Sequence, residues 1–406
     1  MSKKFLGGLL CGLCIGALVA GTAGIGVFSV VLQRQIKSET RNREIVSEIL
    51  DEDTVRKVSE LTGYIDTYYM DEYSVDDIQE SMLSGMVDGL GDKYTVYYTP
   101  EEYADLKIST SGSYYGIGAG LQQDPKTGQV TVTKVYSGTP SEEAGLKEND
   151  IILYADETDA TSMELTLLVQ QIRGEEGTKV HLQVYRPSTE EILELDIERR
   201  NVELPSVEGE LLDDGIGYIM IAEWQKGTKE QFVSILNDLE NSGMTSLIVD
   251  VRSNPGGLLT SVVEVLDYIL PRGMVVYTED KYGSRQEFTS DASCIHYPMA
   301  VLINGNSASA SEIFAGAIKD YEYGTLIGTT TYGKGIVQTI YPLTDGDALK
   351  VTTAKYFTPN GNYIHGVGIA PDIELEYDYT GPEDGAYEMK YDNQLQKAIE
   401  LLSEES

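Results

Sequence analysis

The chain contains the stretch Ser307-Ala308-Ser309-Ala310-Ser311-Glu312, at a point where a strand pattern gives way to a helix pattern. The preceding run, Met299–Ile303, is entirely apolar and predicts a buried strand, and Asn304-Gly305 predicts a turn. The run Glu312–Ile318 that follows is typical of a helix. A serine at such a junction presents its hydroxyl beside unpaired backbone N–H groups, which can hold an oxyanion. The pattern therefore favours a nucleophilic serine here.

A serine hydroxyl needs a base to take its proton before it can attack a carbonyl group. The three histidines of the chain, His181, His296 and His365, do not lie in an H-E-x-x-H pattern. Similarly, none of the serines lies in a G-x-S-x-G or S-x-x-K pattern. Lysine is the remaining candidate base, because serine–lysine pairs are a known variant of the catalytic triad.

The candidate lysine lies in Gly333-Lys334-Gly335-Ile336-Val337-Gln338, within a run that alternates like a strand from Thr331 to Ile340. Alternate strand residues share a face, so Lys334 and Gln338 are predicted to reach the same site. A lysine base must be neutral, so its pKa of about 10.4 has to fall to roughly 7–8, a cost on the order of 4 kcal/mol. Burial without a carboxylate partner lowers a lysine pKa, and the sequence neighbours of Lys334 supply no carboxylate. Gln338 would orient the amine without adding charge.

These two segments resemble the S-A-S-A-S-E and G-K-G-x-x-Q motifs of the carboxyl-terminal processing peptidases, the tail-specific serine/lysine proteases of S41 type with a PDZ domain. The residues alone do not choose between Ser307, Ser309 and Ser311. The resemblance implies that Ser309 is the nucleophile, Lys334 the base and Gln338 the residue that supports the lysine. A Ser/Ala-rich helix start with a routine N-cap is the alternative interpretation of the serine cluster alone.

A third segment has the same strand–turn–helix form. Leu247–Arg252 predicts a buried parallel strand, and Ser253-Asn254-Pro255-Gly256-Gly257 predicts a sharp turn before a helix. Glycines allow the backbone to approach a ligand and present N–H groups to it. The resemblance implies an oxyanion hole made by the N–H groups of Gly256 (or Gly257) and Ala310. Taken alone, the turn is typical of any strand-to-helix connection.

Residues 191–385 alternate between strand-like and helix-like runs, which predicts an α/β protease core with a mostly parallel sheet and flanking helices. The resemblance implies that this core is ClpP/crotonase-like. Within it, His365–Asp372 resembles the closing segment of the family and is interpreted as structural. Residues 386–406 predict a C-terminal helix, interpreted as an accessory to dimerisation.

Residues 111–190 consist of short strands and turns whose order resembles a PDZ domain, inserted in or preceding the core. Such domains bind a peptide as an added strand and hold its terminal carboxylate with backbone N–H groups. The predicted cradle is Tyr115-Gly116-Ile117-Gly118-Ala119. Arg173 matches an arginine that, in some relatives, links the PDZ domain to the lysine site, which implies a regulatory role. A surface arginine near a turn is the alternative.

The N-terminal residues 1–33 are predicted to anchor the protein in a membrane. Residues 5–33 carry no charged side chain, and about 20 apolar residues suffice to span a bilayer. A cleaved signal peptide is the alternative, because Gly21-Thr22-Ala23 resembles a cleavage site. Basic residues flank both sides of the span and do not set its orientation. The resemblance implies a single-pass protein of the cell membrane with an extracytoplasmic catalytic domain.

Residues 34–110 predict an N-terminal helical region, since their apolar residues recur at helical spacing. The segment Gly89-Leu90-Gly91-Asp92-Lys93-Tyr94-Thr95 resembles one that, in the family, leads into the PDZ domain and helps to build a dimer. The resemblance therefore implies a homodimer, and a helical spacer is the alternative.

The net charge of −36 over 406 residues argues against a nucleic-acid partner, which would require basic patches. A hydrophobic fraction of 41% supports a packed core. The sequence shows no cluster of metal ligands, so neither a metal nor a cofactor is predicted.

The function implied is that of a serine endopeptidase that recognises free, unstructured, mostly apolar C-termini of exported proteins and cuts near them. A catalytically silent membrane PDZ adaptor is the alternative, although such a protein would be expected to have lost Ser309 or Lys334. A tricorn-type hydrolase is a second rival, and the G-K-G-x-x-Q segment argues against it.

Overall fold

The computed structural model describes residues 40–203, 205–382 and 387–404. The chain forms two compact units, Met1–Gln79 and Glu80–Ser406. Helix α1 (40–49) and helix α2 (Glu52–Tyr68) lie in the first unit. Asp51 is the N-cap of α2, and its carboxylate accepts the Thr54 N–H at 2.7 Å. In the described ranges no helix has the length and apolar character needed to cross a membrane. The predicted span, residues 5–33, lies outside those ranges.

Helix α3 (Val75–Asp88) leads into the second unit, where strand β1 (Val96–Tyr98) and helix α4 (Pro100–Ser111) precede the PDZ-like part. Helices α1 to α4 all lie within residues 34–110, the predicted helical region, of which residues 34–39 are outside the described ranges. Thr99 and Glu102 form a capping box that fixes the start of α4.

The PDZ-like part is an antiparallel sheet closed by one longer helix. Its elements are, in chain order, β2 (Ser113–Gly116), β3 (Ala119–Gln123), β4 (Val130–Val135), α5 (Pro140–Glu143), β5 (Ile151–Ala155), β6 (Thr158–Asp159), α6 (Leu165–Ile172), β7 (Lys179–Arg186), β8 (Glu191–Glu198) and β9 (Arg200–Glu203). Strand β7 alternates as a half-buried strand should, with Val180, Leu182 and Val184 in the core. Strand β8 pairs with β7 along its length, so this sheet continues past the predicted boundary at residue 190. Strands β2 and β9 pair where the chain enters and leaves the part.

The remaining elements build the core. They are β10 (Val207–Leu211), β11 (Ile216–Ile221), α7 (Thr228–Asn241), β12 (Ser246–Asp250), α8 (Leu259–Ile269), β13 (Gly273–Asp280), β14 (Arg285–Ser290), β15 (Met299–Ile303), α9 (Ala310–Asp320), β16 (Thr325–Gly328), β17 (Ile336–Pro342), β18 (Ala348–Phe357), β19 (Ile373–Glu374) and α10 (Asn393–Glu404). The central sheet has the order β10-β11-β12-β15-β16-β19, and only β10 runs antiparallel to its neighbour. The prediction of a mostly parallel sheet is confirmed.

Both faces of the central sheet are covered, which explains the uninterrupted apolar runs in the sequence. On β12, Leu247 and Val249 join the core formed with α7, α8 and α9, whereas Ile248 joins the core formed with α10. The predicted C-terminal helix is confirmed, but its apolar residues Leu395 and Leu402 are buried within the chain. They are therefore unavailable for the predicted role in dimerisation.

The second sheet joins distant parts of the sequence. It has the order β1-β18-β13-β14, with β17 also paired to β18. Val96 on β1 lies opposite Lys350 on β18. The chain just before the PDZ-like part thus belongs to a sheet of the core.

Candidate active site

Ser309 lies where β15 leads into α9, at the carboxyl edge of the central sheet, next to the loop that follows β12. Its backbone has φ 56° and ψ −113°, a region that a residue with a side chain rarely adopts and that costs about 1–3 kcal/mol. Two contacts hold it: the Glu312 carboxylate accepts its N–H at 2.8 Å, and the Tyr356 hydroxyl donates to its carbonyl at 3.0 Å. The turn therefore presents the Ser309 side chain away from the buried core.

The neighbouring serines have structural contacts. Ser307 is fully buried, and its hydroxyl donates to the Val251 carbonyl at 2.8 Å. Ser311 is also fully buried, and its hydroxyl donates to the Asn254 carbonyl and accepts from the Trp224 indole, both at 3.0 Å. These contacts tie the serine turn to the loop after β12. Of the three serines, Ser309 is the one that lines the cavity described next.

Ser309 and Lys334 line one cavity of about 300 Å³, called here the serine–lysine cavity. Its walls are largely apolar, and its lining residues are Leu106, Ser109, Thr110, Glu223, Pro255, Gly257, Leu258, Leu259, Ser309, Ala310, Ile313, Lys334, Ile336, Val337, Gln338, Ile340, Lys350 and Tyr356. Among the residues described, no hydrogen bond joins Lys334 to Ser309. The Lys334 amine instead lies 4.9 Å from the centre of the Tyr94 ring.

The strand predicted for Thr331–Ile340 is wrong in its first half. Strand β17 begins at Ile336, and its register shifts between Val337 and Gln338, so a simple alternation does not place Lys334 and Gln338. Residues 331–335 pack instead against the segment 365–369: a Cβ on Gly335 would lie 2.6 Å from the His365 nitrogen. Gln338 still lines the cavity, but its amide donates to the Thr352 hydroxyl at 3.5 Å rather than contacting the lysine.

The surroundings of Lys334 lower its pKa. Burial is the largest cause, and the positive charge of Lys350 acts in the same direction. Tyr332 and the carboxylate of Glu312 oppose the shift. A carboxylate is therefore close to Lys334, contrary to what its sequence neighbours indicate, but the net pKa of Lys334 still lies below its usual value.

The loop after β12 supplies backbone N–H groups to the cavity. The N–H of Gly256 donates to the side-chain oxygen of Asn254 at 2.9 Å and is not available to a substrate. In the described part of the chain, the N–H groups of Gly257 and Ala310 have no partner, and both residues line the cavity. Of the two glycines named for the oxyanion hole, Gly257 is therefore the one whose N–H is free in the described structure, and its role as a donor stays a prediction. A glycine at position 256 instead allows this loop to lie close to the serine turn, because a Cβ there would be 2.9 Å from the Cβ of Ser309.

Glu312 connects the serine and lysine segments. This fully buried carboxylate accepts hydrogen bonds at 2.6–2.8 Å from the N–H groups of Ser309, Gly333 and Lys334 and from the Thr331 hydroxyl. From the sequence, Glu312 was predicted only as the start of a helix. The S-x-x-E spacing from Ser309, a capping box, is the signal that could have identified it.

Glu312→Gln should reduce both stability and activity. An amide in place of the carboxylate presents an NH₂ group to buried donors, which we expect to destabilise the fold by about 1–3 kcal/mol. Displacement of either segment should lower kcat/KM on the order of 10²-fold. Thermal unfolding and reporter cleavage measure the two effects, with Glu210→Gln on the exposed face of β10 as control. Unchanged values for both would contradict the connecting role.

The predicted carboxylate cradle spans the end of β2 and the start of β3. The Ser141 N–H and hydroxyl donate to the Ile117 carbonyl at 2.8 and 2.6 Å, and Thr139 donates to the Gly118 carbonyl at 3.2 Å. Gly118 has φ 83°, which suits glycine. The loop is therefore held by its carbonyl groups, and the binding role of Tyr115, Gly116, Ile117, Gly118 and Ala119 stays a prediction.

Arg173 does not contact Lys334. Its guanidinium donates to Asp105 on α4 at 3.3 Å and lies 5.1 Å from the centre of the Tyr114 ring. Helix α4 in turn lines the serine–lysine cavity through Leu106, Ser109 and Thr110. Arg173 therefore contacts the helix that forms a wall of the cavity.

Lys350 and Tyr356 are site residues that the sequence did not predict. Both lie on β18, outside any motif, and reach the cavity through sheet pairing and packing. No local pattern marked them. Within the described ranges, no group of three His, Cys, Asp or Glu side chains is placed to hold a metal ion.

Comparisons with known proteins identify relatives of this chain. Residues 215–375 match Peptidase family S41 and residues 116–197 match the PDZ domain. A carboxyl-terminal-processing protease of Synechocystis sp. is 34% identical over 76% of this chain and 75% of its own length. The carboxy-terminal processing protease CtpB of Bacillus subtilis is 33% identical over 81% of this chain and 69% of its own length. A solved photosystem II D1 C-terminal processing protease is 30% identical, with 78% and 85% coverage and a TM-score of 0.46.

The resemblance drawn from the motifs is confirmed, and the silent adaptor is not favoured. With these relatives matched along most of their length, the chain belongs to peptidase family S41 and is a carboxyl-terminal processing serine protease with a PDZ domain.

Proposed function

We propose that this protease cuts near the C-terminus of its substrates through an acyl-enzyme on Ser309, with Lys334 as the general base. The observation that carries the proposal is the serine–lysine cavity, into which Ser309, Lys334 and the unpaired N–H groups of Gly257 and Ala310 all open. Nucleophile, base and oxyanion donors are the groups that acyl transfer requires.

In the first step the Lys334 amine leaves its position beside the Tyr94 ring and accepts the Ser309 proton. Side-chain hydrogen bonds of this kind often form only with substrate bound. The Ser309 oxygen adds to the peptide carbonyl, and the resulting oxyanion is held by the N–H groups of Gly257 and Ala310. When the C–N bond breaks, the Lys334 ammonium returns the proton to the leaving amine. Water then loses a proton to Lys334 and adds to the ester carbonyl. The C–O bond to Ser309 breaks, the acid product leaves, and the Lys334 ammonium returns the proton to the Ser309 oxygen.

The apolar walls support a preference for apolar substrate residues. Leu258, Ile313 and Ile340 are among the side chains that line the cavity, beside the reacting groups. Gln338 is proposed to orient the lysine amine once that amine moves toward Ser309. The polar amide of Gln338 is already in the cavity.

Substrate selection is proposed to begin in the PDZ domain, where the loop Tyr115–Ala119 would receive the terminal carboxylate of a free, unstructured tail. Arg173 is proposed as a regulatory residue, because it contacts α4, which forms a wall of the cavity. No cofactor enters the proposed chemistry.

Three further features of the sequence stay proposals: a ClpP/crotonase-like core, a single-pass membrane anchor in residues 1–33 with an extracytoplasmic catalytic domain, and a homodimer. The absence of charge from residues 5–33 supports the anchor. Helix α2 supports the homodimer, because it exposes Val55, Leu61 and Tyr64 and buries no residue.

A reporter with an unstructured apolar tail tests the proposed function. The full-length chain should cleave the free-acid form near its C-terminus and cleave the C-terminal amide at least tenfold more slowly, since the amide loses charge-assisted hydrogen bonds to the cradle. Mass spectrometry of the products locates the cut, and a reporter with an acidic tail serves as control. Equal cleavage of acid and amide would contradict tail recognition, and the absence of any cleavage would contradict the proposed activity.

A further inference from the structure

Two lysines line the serine–lysine cavity. Besides Lys334, the cavity contains Lys350 from β18, which lies between Ile340 on β17 and Val96 on β1. They are the two cationic side chains among the described residues that line it. In the described ranges neither forms an ion pair with a carboxylate. Two lysine amines in a largely apolar cavity repel each other, and the repulsion is strong where solvent is excluded.

A neutral partner holds Lys350 in place. Its amine donates to the Tyr98 hydroxyl at 2.5 Å and lies 5.0 Å from the centre of the Tyr98 ring. Tyr98 lies on β1, whose pairing with β18 fixes both residues. A hydroxyl fixes the position of an ammonium group without neutralising it, so the charge of Lys350 stays directed at the cavity.

Other titratable groups also face Lys334 or its cavity from the surrounding elements. They are Lys93, Tyr94, Glu223, Glu312, Tyr332 and Tyr356. The Glu312 carboxylate already accepts four hydrogen bonds. Burial raises the pKa of Glu223 and so disfavours its negative charge. Lys93 donates to the Tyr332 hydroxyl at 2.8 Å and is exposed. The Glu223 carboxylate accepts a hydrogen bond from the Gln225 amide at 3.1 Å, and among the described residues neither Glu223 nor Glu312 forms an ion pair with Lys350.

We propose that Lys350 is a positioning residue for the reaction of Ser309: its fixed positive charge keeps the Lys334 amine in the neutral form that can accept a proton. The inference rests on the proposed function, because it assigns Lys350 a role in activating that base. A nearby cation is a known means of keeping a lysine amine neutral. The lowered pKa of Lys334, to which Lys350 contributes, agrees with it.

The test compares Lys350→Met with Lys350→Arg. Without the charge, Lys334 should stay protonated at neutral pH, so kcat/KM at pH 7 should fall about tenfold and recover toward the wild-type plateau at alkaline pH. Arginine should restore much of the neutral-pH activity because it retains the charge. Tyr98→Phe, which frees the Lys350 amine, should give a smaller change of the same kind. Lys355→Met is the matched control, since it removes an exposed cation of the same strand that lies 5.2 Å from the centre of the Tyr363 ring.

A second measurement does not depend on activity. In a Ser309→Ala background, the rate at which an amine-reactive acetylating reagent labels Lys334 is followed against pH by mass spectrometry. Lys350→Met should move this labelling profile to higher pH, and Lys355→Met should leave it in place. The labelling result stands even if no reporter is cleaved, so a failure of the proposed function is distinguishable from a failure of this inference.

Three results would overturn the inference. One is an unchanged labelling profile in Lys350→Met. Another is a loss of kcat/KM that is equal at every pH, which would indicate a structural role. The third is an increase in KM confined to substrates with an acidic residue, which would make Lys350 a substrate contact. If thermal unfolding shows that Lys350→Met is not folded, the variants Lys350→Arg and Tyr98→Phe are used to decide between the same outcomes.

Discussion

Ser309→Ala and Lys334→Met should each reduce peptide cleavage by a factor on the order of 10⁵–10⁶, because nucleophile and base act as one unit in serine hydrolases. The double variant should be no worse than either single one. Steady-state and single-turnover cleavage of the apolar-tailed reporter measures the loss. Ser284→Ala and Lys281→Met, both exposed in the turn between β13 and β14, remove the same groups away from the site and should be neutral.

The pH dependence of the wild-type enzyme gives an independent check. Lys334 acts as a base only when neutral, and burial together with Lys350 holds its pKa below the usual 10.5. Activity should therefore be low in acid, rise as the pH passes the lowered pKa, and level off above it. An acid-side plateau, or turnover by Ser309→Ala with unchanged product masses, would contradict the assignment.

Arg252→Met should destabilise the fold by about 3–5 kcal/mol, because it leaves two buried carboxylates without their cation. The guanidinium lies 2.7 Å from Asp250 and 2.9 Å from Asp392, which are 5% and 1% exposed. It also donates to Gln394 at 3.0 Å and so ties the start of α10 to the end of β12. Urea unfolding measures the loss in free energy.

Two variants distinguish the loss of this buried network from the loss of a positive charge in general. Arg285→Met, which breaks an exposed pair with Glu279, should change stability by less than about 1 kcal/mol. Adding Asp392→Asn to Arg252→Met should recover part of the loss, since one buried charge is removed. A loss no larger than that of Arg285→Met would show that the network contributes little.

Acid should weaken the same network. Burial raises the pKa of Asp392, but the hydrogen bonds from Arg252, the Leu395 N–H and Tyr387, together with the charge of Arg252, outweigh it, and the net pKa lies below the usual 3.8. The stabilisation is thus complete above pH 3.8 and is lost as the pH falls through the lower, folded-state value.

The parts of the site that the sequence predicted are those encoded locally. The runs Leu247–Arg252 and Met299–Ile303 are apolar because both sheet faces are covered, so their carboxyl ends, and the loops that follow, could be located. The residues alone did not distinguish the three hydroxyls, and Ser309 was assigned by resemblance. The burial of Ser307 and Ser311, which supports that assignment, is a property of the fold. Likewise, the sequence does not reveal that the Gly256 N–H is engaged by the side chain of Asn254, which leaves Gly257 as the proposed donor.

Contacts between distant residues could not be predicted. Lys350 meets Tyr98 across a sheet whose strands are joined by neither a motif nor a short turn. The strand pattern of residues 331–335 failed because the glycines there pack against residues 365–368 instead of pairing in a sheet. Alternation indicates which residues could share a face, but it does not indicate whether a partner strand is present.

The pairing of β1 with β18 makes the PDZ domain an insertion, since protease strands flank it in sequence on both sides. An inserted module is attached at two points, and here β2 and β9 pair with each other at those points. Such a double attachment limits how far the module can move relative to the protease strands that flank it. Replacing the module by a short linker that joins β2 directly to β9 is therefore expected to leave a folded protease. Cutting the chain at only one of the two connections would leave the module attached through the other.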